Sequence, residues 1–414
     1  MNNRTITNIV FISVILYFGV VIIHNIYDRT MTGWGLSEFL INYEGGFVRR
    51  GLVGQIAYLT GDPFFYVNLF QKLSVSFFVI SSAFLVPLYK DTLSKFLFLF
   101  MIILVPGGLY DMAIGGAFEY LDRKEIWFYN AIILLIFISI KYSFYSYKGL
   151  LFTTFISLFM ILHHELFAVF FSPIIFFMYL LQKRSDQRVF IHHITIYATF
   201  TILAFSLSVY FHGNAEIVNA IKDSYLEYKL NTDDIVNGGI NALSLSFSQS
   251  NALSIKMLAS GSSISYWLFF FSVALTISIL FILSVFKKND HIAIAMLINL
   301  SLLFSTLIAS FTGWDWGRWI SMYSIGVVLM ISLLKVILSN LEYEKIYRFR
   351  EGDFFDNVKL HGVKYWILIM TMIFLILFLT LTTRMSHCCP KPSNIPLISG
   401  NQAINHVLKN LSFK

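Results

Sequence analysis

The sequence predicts an all-α integral membrane protein: a polytopic helical bundle of about eleven transmembrane helices with exoplasmic amphipathic helices, built as one domain over residues 1–414. Three observations predict it. The chain is 57% hydrophobic and 13% charged with a mean hydropathy of +0.71, more apolar surface than a water-soluble core of this length can hide. Apolar runs near the ~20 residues that cross a bilayer as a helix recur from end to end. The lysines and arginines behind the formal charge of +7 are scattered through short segments between those runs. That pattern belongs to topology-setting residues and speaks against nucleic acid as a partner.

Spans are expected near residues 6–26, 70–89, 96–110, 126–140, 149–162, 166–182, 191–211, 264–286, 292–311, 319–339 and 365–383. The first run ends in Val21-Ile22-Ile23-His24-Asn25, which has no small-residue cleavage site, so it is expected to stay as a span. The stretch 149–182 is split by His163-His164-Glu165 into two pieces that are each short for a bilayer. We read it as a hairpin of two short or tilted helices. A single long kinked helix is the alternative, and it inverts the sidedness of everything that follows.

With the hairpin, Lys90 to Lys95, Lys141 to Lys148, Lys183-Arg184 to Arg188, Lys287-Lys288 and Lys345 to Lys364 share one side. Short lysine- and arginine-rich loops mark the cytoplasm, which puts the amino end inside. The exoplasmic side then receives large loops at about 27–69 and 212–263, together with 111–125, 163–165, 312–318 and the tail from Arg384. In the 212–263 loop, Ile217, Ala220, Ile221, Tyr225 and Leu226 recur at helical spacing, which predicts an amphipathic surface helix. A second short helix is expected over Leu36 to Asn42.

Asp111, Glu119, Asp122, Glu125, Glu165, Asp233, Asp234 and Asp315 all fall on that outer side. Isolated ions at mid-bilayer cost ~2.5–3.5 kcal/mol each on the insertion scale, so a shared wet cavity opening outward is expected to hold them. Four polar clusters supply candidates. In Glu44-Gly45-Gly46-Phe47-Val48-Arg49-Arg50-Gly51, an acid precedes two guanidinium forks suited to phosphate, on a side where topology alone does not call for arginine. The plainer reading is a turn whose arginines reach headgroups.

Trp314, Asp315, Trp316, Arg318 and Trp319 form the second cluster. Asp315 and Arg318 share a helical face if the segment is helical, and the indoles offer stacking surfaces for sugars or an interfacial belt. His163, His164 and Glu165 offer an imidazole oriented by a carboxylate, or a satisfied polar pair at a helix break. Asp122 to Glu125 contributes Arg123 and Lys124 as further anion-binding candidates beside a solvated-turn reading.

No cofactor is expected, because there is no glycine-rich nucleotide loop, serine elbow or kinase signature. No metal is expected either: His-Glu-x-x-His is absent, since Leu166, Phe167 and Ala168 follow Glu165. The only cysteines, Cys388 and Cys389, are adjacent and suggest neither a disulfide framework nor a zinc site. A reaction at the outer face must use activated donors already there, and those are lipid-linked. Arginines on a diphosphate, with an acid or histidine taking a hydroxyl proton, suit glycan transfer from a polyprenyl diphosphate.

In this layout of many spans, a first-outer-loop acid, outward arginines and one large outer loop, the whole chain resembles bacterial O-antigen or capsule polymerases and, more broadly, GT-C membrane glycosyltransferases. The resemblance implies a multi-pass protein of the bacterial inner membrane with a cytoplasmic amino end, acting in surface-polysaccharide polymerisation. It implies a polyprenyl-diphosphate-linked oligosaccharide, membrane lipids and other polysaccharide-assembly proteins as partners. Glu44 holds the place of the catalytic first-loop acid, with His164, Glu165 and Asp315 as further proton acceptors. Arg49, Arg50 and Arg318 take the place of diphosphate-binding arginines. Glu44 sits among glycines rather than in a paired-aspartate pattern, which argues against a metal-dependent mechanism. The rival expectations are a lipid-linked glycan transporter or flippase, and a membrane O-acyltransferase acting on surface glycans with a histidine base.

Overall fold

The computed structural model describes residues 3–343 apart from 28, 32, 106–107, 114–120, 182–186, 229–237, 246–247, 250–251, 253–263 and 313–315. Every regular element among the described residues is helical, and none is a strand. The chain opens with α1 (Asn3–Tyr27), a short α2 (Gly33–Phe39), α3 (Leu52–Tyr58) and α4 (Pro63–Leu85). It continues through α5 (Thr92–Ile103), α6 (Leu109–Ala113), α7 (Glu125–Tyr142) and α8 (Tyr147–His163). Next come α9 (Leu166–Phe170), α10 (Ser172–Leu180), α11 (Gln187–Tyr210) and α12 (Ala215–Asp223). The last three are α13 (Ile264–Val285), α14 (Asn289–Thr312) and α15 (Trp316–Tyr343).

Six of these helices are long and apolar enough to cross a membrane: Thr5–Tyr27, Pro63–Leu88, Glu125–Tyr142, Ile191–Tyr210, Asn289–Ser310 and Gly317–Asn340. Thr92–Ile103, Tyr147–His163, Leu166–Leu180 and Phe270–Val285 are apolar but shorter. The expected count of about eleven full spans is therefore not reached among the described residues, although each of the first ten expected runs contains an apolar helix. The run 365–383 and the cysteine pair lie outside the described residues.

Local chemistry explains where helices start and stop. Asp62, Asp91, Ser146 and Asn214 each accept a hydrogen bond from a backbone N–H in the first turn of α4, α5, α8 and α12. The expected 96–110 span stops early at Ile103, ahead of Pro106-Gly107-Gly108, and the Gly108 N–H turns back to Val105 O at 2.8 Å. Likewise Pro173, in the first turn of α10, separates it from α9.

The 149–182 stretch is a hairpin. Tyr145, just before α8, donates its hydroxyl to Met178 O near the end of α10 at 2.9 Å, and the Phe144 and Tyr179 rings stack at 4.6 Å. Only an antiparallel return brings those positions together. Among the described residues, the segments bearing Lys90 to Lys95, Lys141 to Lys148 and Lys287-Lys288 meet at this same end of the bundle. Ser94 Oγ donates to Ser284 O (2.9 Å), Asn340 Nδ2 donates to Ser139 O (3.0 Å), and the Lys335 ammonium lies over the Tyr89 ring at 5.0 Å.

Helix α15 runs through the middle of the bundle: 94% of its span is buried, against 17% for α1 on the periphery. It packs on α5, α7, α13 and α14. Inside, Asn299 Oδ1 accepts from the Tyr323 hydroxyl at 2.7 Å and from Ser278 Oγ at 3.2 Å, joining α13, α14 and α15 by the kind of interhelical polar contact an apolar solvent leaves in place. At the opposite end from the lysines, α2, α3 and α12 build a cap with its own small core of Phe39, Leu40, Ile41, Val48, Val53, Val218, Ile221 and Tyr225. The amphipathic helix expected around Ile217 to Leu226 is α12, which buries Val218 and Ile221 and ends at Asp223. The short helix expected over Leu36 to Asn42 is α2, which begins and ends three residues earlier.

Candidate functional site

Between the cap and the bundle lies a cluster of charged side chains drawn from five separate parts of the chain. Glu38 enters from α2, Arg49 and Arg50 from the turn before α3, and Arg123, Lys124 and Glu125 from the turn that opens α7. His164 and Glu165 come from the hairpin tip and Arg318 from the first turn of α15. The amino ends of α7 and α15 both open here, so their dipoles favour negative charge at the cluster.

Glu38 is the hub, buried to 1% exposure. Its Oε1 accepts from Arg50 Nη1 at 3.2 Å and from His164 Nε2 at 3.3 Å, with Arg318 Nη2 at 4.0 Å, while Oε2 accepts from Arg123 Nη1 at 3.4 Å. Glu165 is gripped from the other side. Arg50 Nε donates to its Oε2 at 2.9 Å, Arg50 Nη2 and Nε both reach Oε1, and Arg49 Nη1 donates to Oε1 at 3.3 Å. Burial by itself raises both carboxyls. The His164 hydrogen bond and the Arg318 and Arg50 charges override it at Glu38, and Arg50, His164 and Arg49 override it at Glu165, holding both well below the usual carboxylate range.

Arg50 takes a left-handed backbone, φ 67°, uncommon for a residue with a side chain. The two carboxylates that hold its guanidinium account for the strain. Next to it, Gly51 packs against the Tyr43 ring so closely that a Cβ would lie 2.3 Å from a ring carbon, so the Arg50-Gly51 order is fixed by space.

Lys124 is fully buried. It donates to Arg50 O at 3.0 Å and His163 O at 3.3 Å and lies over the Phe39 ring at 5.3 Å. Burial outweighs the surrounding carboxylates and pushes its pKa down to about 7. Arg318 donates from Nε and Nη2 to Glu125 Oε1, and its guanidinium sits 5.2 Å above the Trp319 ring. Glu125 Oε2 is buried and has no hydrogen-bond partner; Arg49 Nε and both ring nitrogens of His163 are in the same state. His163 instead packs among Trp127 (5.0 Å) and Phe39 (5.6 Å).

His164 has both nitrogens engaged. The Leu166 N–H donates to Nδ1 at 3.3 Å, which leaves the proton of the neutral ring on Nε2, facing Glu38. Burial, followed by the Arg50 charge, lowers its pKa and keeps it neutral.

A buried glutamine fixes the turn that supplies Arg123 and Lys124. Gln71 Nε2 donates to Leu121 O and Arg123 O and its Oε1 accepts from Trp127 Nε1 at 2.9 Å, while Asp122 on the far side pairs with Arg29 at 2.8 Å. Beside that pair, Arg29, Asn68, Gln71, Lys72 and Asp122 line a cleft of about 20 Å3, room for a single water. The cluster itself is closed over, with Arg49 its most exposed member at 23%.

Of the residues named from sequence, Arg49, Arg50, Arg123, Lys124, His164, Glu165 and Arg318 come together here. Glu44 does not: its side chain is exposed on the cap near Tyr58 and Tyr225, and the buried acid supplied by the first outer loop is Glu38. Trp314 and Asp315 lie outside the described residues, and so does the side chain of Trp316. Sequence reading passed over Glu38 although a signal was present: a lone carboxylate between Leu36 and the apolar run Phe39-Leu40-Ile41.

Among the described residues, five cations (Arg49, Arg50, Arg123, Lys124, Arg318) face three carboxylates (Glu38, Glu125, Glu165), since Asp122 is taken by Arg29. No group of three or more His, Cys, Asp or Glu among the described residues is arranged to hold a metal ion. What the arrangement can do is hold an anion against guanidinium groups in a site of low dielectric. No protein-family model, no curated protein and no solved structure matches the chain.

Proposed function

We propose that this protein transfers a glycan from a polyprenyl-diphosphate carrier to a lipid-linked acceptor at the exoplasmic face of the bacterial cytoplasmic membrane, a step of surface-polysaccharide polymerisation. The observation that carries this reading is the convergence of Arg49, Arg50, Arg123, Lys124 and Arg318 from three separate parts of the chain on one buried site, at the end of an apolar bundle remote from the described lysine-bearing segments. By the positive-inside rule the lysine end is cytoplasmic, so the amino terminus lies inside and the cluster outside.

In this reading the donor diphosphate first meets Arg49, which is partly exposed and has a buried Nε without a partner. Arg50 and Arg318 complete the grip, with Arg123 and Lys124 behind them. The acceptor hydroxyl oxygen attacks the anomeric carbon as the bond to the diphosphate oxygen breaks. The diphosphate leaves with the electron pair, and its growing charge is met by groups already in place. Glu125 Oε2 takes the hydroxyl proton, because it is the one carboxylate oxygen of Glu38, Glu125 and Glu165 without a partner. Glu38 and Glu165, held well below the carboxylate range, are poor bases and serve to position the arginines.

The test is reconstitution of the full-length protein in liposomes with lipid-linked oligosaccharide extracted from the host membrane. Chain ladders are expected from the wild type, and a drop of about 10²–10³-fold in rate from Arg49→Ala or Arg318→Ala. Normal ladders from both variants would sink the proposal. Movement of intact lipid-linked glycan across the bilayer without chain extension assigns the protein to transport instead.

A further inference from the structure

A group of aromatic rings on the cap is used neither by the fold's main core nor by the charged cluster. Tyr225 is its base: buried, with its hydroxyl donating to Leu40 O at 2.7 Å. Tyr58 meets it edge-on at 5.8 Å and 88°, and Phe64 does so at 6.0 Å and 68°. Tyr228 lies 6.2 Å from both Phe64 and Tyr225. Tyr58, Phe64 and Tyr228 are half-buried, so part of each ring remains open.

Two exposed carboxylates edge this surface. Burial, then the charge of Glu44, the phenol of Tyr228 and the charge of Glu227, all act on the Tyr58 phenol. Glu44 and Glu227 are both exposed. Leu40, whose carbonyl anchors Tyr225, lies two residues beyond Glu38. The aromatic surface and the charged cluster thus use the two ends of one short stretch, with Glu38 inside and Glu44 outside.

We propose that Tyr58, Phe64 and Tyr228, edged by Glu44 and Glu227, bind the oligosaccharide portion of the substrate. Sugar rings present C–H faces that pack on aromatic planes and hydroxyls that donate to carboxylates, and this surface offers both. A lipid headgroup fits it less well. Surfaces that lie on membranes pair apolar side chains with lysine and arginine, whereas among the described residues the side-chain charges that act on the Tyr58 phenol are the carboxylates Glu44 and Glu227. The proposal rests on the reading of the protein as a glycan transferase and adds where the glycan itself is held.

The experiment uses the full-length protein in nanodiscs. The added compound is the oligosaccharide released by mild acid from the host's lipid-linked glycan fraction, followed by saturation-transfer NMR. Transfer to the sugar ring protons is expected. Affinity should fall about tenfold in Tyr58→Ala and further in the Tyr58→Ala, Phe64→Ala pair, with Leu59→Ala as a surface control that keeps it. Glu44→Gln, which removes charge without volume, should weaken binding less.

Absence of transfer to the wild type overturns the proposal, and so does undiminished affinity in the correctly folded pair. The emission that a Tyr58→Trp variant adds over the wild type, with its seven native tryptophans, gives an independent outcome in nanodiscs of brominated lipid: an unquenched added component supports a sugar surface, and a strongly quenched one overturns it in favour of lipid. Chain extension measured on the same preparations keeps the two readings apart. Extension without oligosaccharide binding removes the aromatic surface alone, and oligosaccharide binding without extension removes the transferase reading alone.

Discussion

Arg50 holds Glu165 through two guanidinium nitrogens although 115 residues separate them in the chain. The contact ties the first outer turn to the tip of the α8–α10 hairpin, and both partners are largely buried. Removing one of them leaves the other's charge stranded. Glu165→Ala is therefore expected to destabilise by about 3–5 kcal/mol, seen as a fall in the apparent Tm of the detergent-solubilised protein. The Arg50→Ala, Glu165→Ala double variant should lose less than the two single losses added together, and strict additivity would show that the pair does not interact.

Glu125 carries the proton in the proposed reaction, so Glu125→Gln should lower kcat by about 10²–10⁴-fold and leave KM near the wild-type value. The carboxamide keeps an oxygen for Arg318, so folding survives. A wild-type kcat in this variant would remove Glu125 from the chemistry. A parallel rise in KM with kcat intact would make it a binding residue.

Lys124 links anion binding to pH. Its pKa of about 7 means that the ammonium is present in acid and lost as pH rises through neutrality. Affinity for inorganic pyrophosphate, measured by calorimetry on the solubilised protein, should weaken several-fold between about pH 6 and pH 8. Lys124→Arg keeps its charge across that range and should flatten the profile. The sign for stability is opposite. The unfolded chain keeps this proton to about pH 10.4, so Lys124 destabilises the fold fully below about pH 7, and that penalty fades as pH climbs towards 10.

Gly35 sets the distance between α2 and the turn that supplies Arg123. A Cβ there would lie 2.6 Å from both Cβ and the carbonyl oxygen of Asp122. Backbone cannot yield as a flexible side-chain tip does, so Gly35→Ala must push α2 outward and take Glu38 away from Arg123. The expected cost is about 1–3 kcal/mol of stability, together with weaker pyrophosphate binding. A variant with unchanged Tm and affinity would show that α2 tolerates the shift.

The hairpin at 163–165, the amphipathic cap helix, and the gathering of Arg49, Arg50, Arg123, Lys124, His164, Glu165 and Arg318 at one end were legible from the sequence, because bilayer-length apolar runs and lysine placement fix which end of the bundle each connecting segment reaches. Helix length was less legible. The expected 96–110 run ends at Ile103, and Pro173 breaks the ladder between α9 and α10 inside a run that hydropathy alone reads as continuous, since hydropathy counts apolar atoms and proline acts through a missing N–H.

What only the tertiary structure decided is which acid goes where. Glu38 and Glu44 sit in the same outer segment, and sequence favoured Glu44 for its place just before the arginine pair Arg49-Arg50. The rotation of α2, set by its packing on the Asp122 turn, sends Glu38 into the cluster and leaves Glu44 exposed on the cap. The free oxygen of Glu125 and the neutral tautomer of His164 likewise depend on partners far away in the chain, Arg318 and Glu38. Side-chain direction at a helix end is a product of packing, and packing is not written in the spacing of residues along a single segment.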